Sequence, residues 1–206
     1  MSQVLAETQV SPAYVTLRLS PVIEMTDDDF FALCQLNRDL RLERTAEGAI
    51  IVMPPTGAET GNRNTSITGQ LYNWTKQDGT GAAFDSSTGF KLPNGADCSP
   101  DGAWIRKSRL ATLSHEEKLK FPPLCPDFVI ELMSPTDTLS VTQAKMDEYM
   151  ENGASLGWLL DPETRRAYVY RPGKSVIVME NAKEISAEPE LSGFVLDLSD
   201  IWEPKL

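Results

Sequence analysis

Apolar and polar positions follow two rhythms along the chain, and each change of rhythm marks an element. In "MTDDDFFALCQLNRD" three acids precede Phe30, Phe31 and Leu33, and Thr26 stands where a cap belongs, which predicts a helix. "LRLERTAEGAIIVMPP" has two short extended runs around Ala46-Glu47-Gly48 and predicts a hairpin stopped by Pro54-Pro55. From Gly57 to Gln77, Ile67, Leu71 and Trp74 fall on one helical face. Short extended pieces follow in "AAFDSSTGFKLPNG" and "SPDGAWIR", then a charged loop or short helix, "SRLATLSHEEKLKF". "PDFVIELMSP" reads as a buried strand. In "TLSVTQAKMDEYMENG" Val141, Met146 and Tyr149 restore helical spacing, with Thr138 as a cap and Gly153 to end it. Strand, turn and strand then occupy "LGWLLDPETRRAYVYRPG", with Asp161-Pro162 opening the turn. "KSVIVME" continues the β pattern, and "LSGFVLDLSDIW" closes the chain.

The order of elements predicts an α/β chain with a central mixed sheet flanked by helices, preceded by a helix and a β-hairpin. Residues 1–20, with Pro12, are expected to form an N-terminal arm, and residues 21–206 a single domain, since no repeat or linker divides them. The 206 residues suffice for a real core, and 41% hydrophobic with 24% charged residues is ordinary for a globular protein. No apolar run approaches the ~20 residues a membrane span needs. "MSQVLAETQV" lacks a basic start and an apolar signal core, so a cytoplasmic location is expected. Cys34, Cys98 and Cys125 are scattered and read as reduced thiols, and one histidine, His115, leaves no room for a histidine triad or a multi-histidine metal site. A net charge of −11 argues against a broad nucleic-acid surface, though not against a local cationic groove.

The chemistry concentrates on one residue. Glu131 interrupts the apolar run Phe128, Val129, Ile130, Leu132, Met133, where even an unpaired polar group costs about 2–7 kcal/mol. Alternation places Asp127, Val129 and Glu131 on one face and Phe128, Ile130 and Leu132 on the other. A strand, short loop and helix fold back on themselves, so Lys145 can return to the strand end that carries Glu131. Asp101, from the other Pro-Asp strand, can meet them. Two carboxylates and an amine suit a hard divalent cation with oxygen ligands, as phosphodiester hydrolysis requires, and need no histidine. Taken singly, each residue has a plainer reading. Glu131 can be an ion-pair partner and Lys145 a solvated helix residue paired with Asp147, Glu148 or Glu151. Asp127 reads as a strand-entry residue, Trp74, Tyr149 and Trp158 as core aromatics, and "RPGKS" lacks the glycine of a phosphate-cradling loop.

Pro100-Asp101, Pro126-Asp127, Glu131, Ser134-Pro135, Lys145, Tyr149, Gly153, Trp158 and Asp161-Pro162 occur in an order that resembles the Uma two family of endonucleases. That family sits within the PD-(D/E)XK, restriction-endonuclease-like superfamily. The likeness runs over about residues 25 to 202. It implies a restriction-endonuclease-like fold and a Mg²⁺-dependent endonuclease acting on nucleic acid, most naturally DNA, with Mn²⁺ as a substitute cation. By the same resemblance Asp101, Glu131 and the backbone carbonyl of Leu132 hold the cation, and Lys145 orients the attacking water. The superfamily lysine two residues after the acid is here Met133, and the resemblance implies that Lys145 takes its place. Glu59, at the head of the second helix, fills the position of an extra helical acid. A homodimer would suit a double-strand cut. Two alternatives stay open: a catalytically inactive binding or regulatory module of the same fold, and a hydrolase of smaller phosphorylated compounds.

Overall fold

The computed structural model describes residues 14–206. In chain order the elements are β1 (Val15–Leu17), α1 (Asp27–Leu36), β2 (Arg41–Arg44), β3 (Ile50–Met53), α2 (Ala58–Asp78), β4 (Gly81–Asp85), β5 (Phe90–Lys91), β6 (Asp97–Cys98) and β7 (Gly102–Arg106). They continue with α3 (Lys107–Leu110), α4 (His115–Leu119), β8 (Phe128–Leu132), α5 (Leu139–Glu151), β9 (Leu156–Asp161) and β10 (Arg166–Tyr170). The last are β11 (Ile177–Glu180), β12 (Glu184–Ser186), β13 (Val195–Asp197) and α6 (Ser199–Trp202). The helices begin and end where the sequence punctuates them. Thr26 and Asp29 form a reciprocal cap on α1, and Gly153, at φ +105°, turns the chain after α5 in a conformation that favours glycine. Thr138 occupies the cap position of α5 without a side-chain bond to the helix.

A mixed six-stranded sheet, in the order β11-β10-β9-β8-β7-β4, carries the core. β8 and β9 are its parallel pair, joined by the α5 crossover, and the remaining neighbours are antiparallel. A five-stranded antiparallel sheet, β1-β3-β2-β6-β5, adjoins it, and β12-β13 forms a small ribbon. The arm expected over residues 1–20 falls partly outside the described residues, and its Val15–Leu17 segment pairs with β3. β12 arises from "NAKEISAEPE", which has no clear strand rhythm.

Period-2 alternation splits the large sheet as the sequence predicts. One face of β7, β8 and β9 sends Trp104, Phe128, Ile130, Leu132, Trp158 and Leu160 against Ile67 and Leu71 of α2 and against Phe194. The other face sends Val129 and Leu159 against Met146 and Tyr149 of α5. Gly157 lets α5 approach closely: a Cβ there would lie 2.4 Å from the Met146 methyl and 2.9 Å from that of Met150.

Gly81 faces a stiffer neighbour, since its Cβ would lie 2.1 Å from the Trp104 indole. We expect Gly81→Ala to cost about 1–3 kcal/mol in urea unfolding and Gly157→Ala distinctly less, because methionine ends move aside and an indole wedged in a core does not. Equal losses would contradict this account of the two close approaches.

Candidate active site

The chain crosses from the small sheet to the large one between Cys98 of β6 and Gly102 of β7, and Asp101 lies in that crossing. The β7–β8 register pairs Gly102 with Ile130, so one further step sets Asp101 opposite Glu131. The placement is fixed by a bond from the Leu132 N–H to Asp101 Oδ2, at 2.9 Å. Both acids are 6% exposed, so two carboxylates stand side by side almost out of water.

Lys145 reaches them from α5. Its Nζ lies 2.9 Å from Glu131 Oε1 and 3.0 Å from Glu43 Oε1, and the same Glu131 oxygen accepts the Tyr149 hydroxyl at 2.9 Å. Tyr149 and Lys145 are one helical turn apart, so a single face of α5 delivers both donors. Glu43 comes from β2 and is itself fixed by the Ser99 N–H, at 2.8 Å. Two neighbours flank Asp101. Asn64 of α2 donates from Nδ2 to Oδ1 at 3.2 Å, and Arg41 of β2 places Nη1 3.5 Å from the same oxygen while its other terminal nitrogen bonds the Ser99 carbonyl. β2 is held to β6 by Arg44, whose guanidinium lies 2.6 Å from buried Asp97.

Burial pushes Glu131 up to about 7, with Lys145 pulling it back and Asp101 and Glu43 adding to the rise. For Lys145, burial opposes the charge, but Glu131 and Glu43 outweigh it and raise the ammonium above its ordinary value. Burial and then Glu131 raise the Tyr149 hydroxyl well above its usual value. At neutral pH Lys145 is therefore charged and Tyr149 neutral, and both act as donors.

The structure thus brings together Asp101, Glu131 and Lys145, and joins Leu132 to them through its N–H. Lys145 does not pair with the acids of its own helix. Glu59 stands apart: it is exposed and forms an ion pair with Arg63, at 2.7 Å, while Arg63 bonds the Ile201 carbonyl. Its place in the helix explains this, because an i,i+4 arginine was available and Asn64, not Glu59, projects towards Asp101. Asp127 takes Arg106 at 2.9 Å and Arg109 at 3.3 Å at the opposite end of β8, in the structural part its sequence suggests. Asp161 accepts from Thr164 in the expected turn. Sequence reading missed Glu43, Arg41 and Asn64. The first two alternate on one side of β2 in "RLER", a signal that an ion-pairing face could have supplied. Asn64 carried none.

As carboxylates pushed upward do, Glu131 gives stability that is fully present below its ordinary value of 4.5 and lost as pH rises through about 7. Measured against Glu131→Gln by urea unfolding, the wild type should lose on the order of 3 kcal/mol between about pH 4.5 and about pH 8. Parallel pH curves for the two proteins would contradict the burial assigned to this carboxyl.

Known proteins place this chain in a family. A crystal structure titled as that of a "putative nuclease belonging to DUF820" from Anabaena variabilis matches the fold with a TM-score of 0.68 at 19% identity. The match covers 87% of this chain and 98% of that one. No curated protein matches. Among the described residues no helix is long and apolar enough to cross a membrane. A family model described as "Putative restriction endonuclease" matches residues 27–199, from the start of α1 to the start of α6. Asp101, Glu131 and Lys145 all lie within that span, and the chain belongs to the Uma2 family.

Proposed function

We propose that the protein is a divalent-cation-dependent endonuclease that hydrolyses phosphodiester bonds of DNA, with residues 21–206 acting as one catalytic domain. The observation that carries this reading is the meeting of Lys145 with Glu131 at 2.9 Å, beside Asp101. Family membership supports the activity class. The description as a restriction endonuclease favours DNA over RNA.

The residues fit a hard cation. Asp101, in the crossing before β7, and Glu131 of β8 offer carboxylate oxygens side by side, and the burial that chiefly raises Glu131, together with the nearness of Asp101, is offset by a doubly charged ion. Asp101, Glu131 and the Leu132 carbonyl would hold Mg²⁺, or Mn²⁺ in its place. When bound, such an ion supplies charge for the phosphate oxygens and lowers the pKa of water.

Lys145 then works as a donor. Charged and flanked by Glu43 and Glu131, its Nζ–H groups can orient a water or a phosphate oxygen but do not take up the proton. The water oxygen forms a bond to phosphorus in line with the breaking P–O3′ bond, and its proton passes through solvent to the departing 3′-oxygen, leaving a 5′-phosphate and a 3′-hydroxyl. Glu43 and Tyr149 hold Lys145 and Glu131 in place, and Glu59, exposed on α2, is assigned a peripheral part at most. Each protomer carries one such site, so a double-strand cut favours a homodimer.

The net charge of −11 favours a second reading, an inactive module of the same fold that binds a partner other than DNA. Purified protein should cleave DNA with Mg²⁺ or Mn²⁺, and Asp101→Ala, Glu131→Ala and Lys145→Ala should each lower the rate by about 100-fold or more. Equal cleavage by all four proteins would assign the activity to a contaminant. No cleavage together with no cation binding would favour the inactive module.

A further inference from the structure

Asn64 is half satisfied. Its Nδ2 donates to Asp101 Oδ1 at 3.2 Å, but its Oδ1 is buried and has no hydrogen-bond partner. A buried acceptor left without a donor costs about 1–3 kcal/mol, so its persistence asks for a donor absent from the folded chain. The bond to Asp101 also fixes which way the amide faces, because only the nitrogen can donate to a carboxylate. Both polar atoms share one carbon, so the open oxygen lies beside the carboxylate proposed to hold the cation.

No side-chain donor among the described residues bonds this oxygen, although Arg41 Nε, also buried, lacks an acceptor of its own. Asn64 sits on α2, where its own backbone carbonyl is taken by the Thr68 hydroxyl at 2.8 Å. Arg41, the other flank of Asp101, directs its terminal nitrogens to Asp101 and to the Ser99 carbonyl. Lys145 directs two of its three N–H groups to Glu43 and Glu131. The donor left is a water, free or brought by a ligand. Hard divalent ions such as Mg²⁺ keep several waters when protein carboxylates bind them, and those waters are strong donors in search of acceptors.

We propose that Asn64 is a positioning residue whose side-chain oxygen accepts a hydrogen bond from the hydration shell of a divalent cation held at Asp101 and Glu131. It rests on the nuclease reading above and adds a residue from α2 to the acids of the β6–β7 crossing and of β8. The same amide thus orients Asp101 through its nitrogen and the ion's water through its oxygen.

Three proteins separate this from a merely structural part. Mn²⁺ affinity is measured by calorimetry for the full chain and for Asn64→Ala and Asn64→Asp, and unfolding confirms that each variant is folded. Loss of the acceptor in Asn64→Ala should weaken binding about 10–100-fold, in line with outer partners of metal ligands. Asn64→Asp keeps an acceptor and loses the donor to Asp101, so it should restore Mn²⁺ binding to the wild-type level or above. Were Asn64 only a donor that orients Asp101, Asn64→Asp would bind as poorly as Asn64→Ala or worse, and that result overturns the proposal. Unchanged affinity in Asn64→Ala overturns it too, with the nuclease reading intact. A wild-type chain that binds no Mn²⁺ overturns both.

Discussion

Burying Glu131 is the constraint on which the rest of this structure depends. A carboxylate in the middle of an apolar strand is tolerated only with partners, and it draws them from α5: the ammonium of Lys145 and the hydroxyl of Tyr149, both within 2.9 Å. Those partners fix the rotation of α5 about its axis. They also fix how closely it lies on β9, where Gly157 leaves room for the methionines of the same helix. Replacing a buried pair of this kind by packed apolar residues is often neutral or stabilising.

The second constraint is the crossing between sheets. Asp101 lies where the chain leaves the small sheet for the large one, and β2 of the small sheet returns Arg41 and Glu43 to the same spot. Arg44 pins β2 to β6 through Asp97 only one residue beyond Glu43. The small sheet thus acts as a lateral wall, and the site has contributions from β2, the β6–β7 crossing, β8, α2 and α5. A net charge of −11 runs against the sign a nucleic-acid surface ordinarily carries. Glu43, Asp97, Asp101, Asp127 and Glu131 are buried and paired with Arg41, Arg44, Arg106, Arg109 and Lys145, so these groups cancel one another and the excess of acids lies elsewhere on the chain.

Much of this was legible before any coordinates. Alternation in "PDFVIELMSP" announced both faces of β8, and the strand–loop–helix order brought Lys145 back to Glu131. What escaped reading came from long-range meetings. Glu43 and Lys145 are 102 positions apart, and no local rhythm ties a hairpin residue to a crossover helix. Asn64 looks like any polar residue of an amphipathic helix, since its part depends on which acid lies across the groove. Glu59 shows the converse. A helix-head acid suits the superfamily pattern, but an arginine four residues on is the nearer partner and takes it. Tyr149 was rightly a core aromatic by spacing, while its hydroxyl, invisible to a hydrophobicity pattern, belongs to the site.

The central claim is that a doubly charged ion can be seated by the buried acids that Lys145 now neutralises. Crystals of the protein soaked in Mn²⁺ and measured at the manganese absorption edge test it most directly. The account predicts one anomalous peak shared by the carboxylates of Asp101 and Glu131. A soaked crystal with no peak there, and with Lys145 still lodged between Glu43 and Glu131, would contradict it.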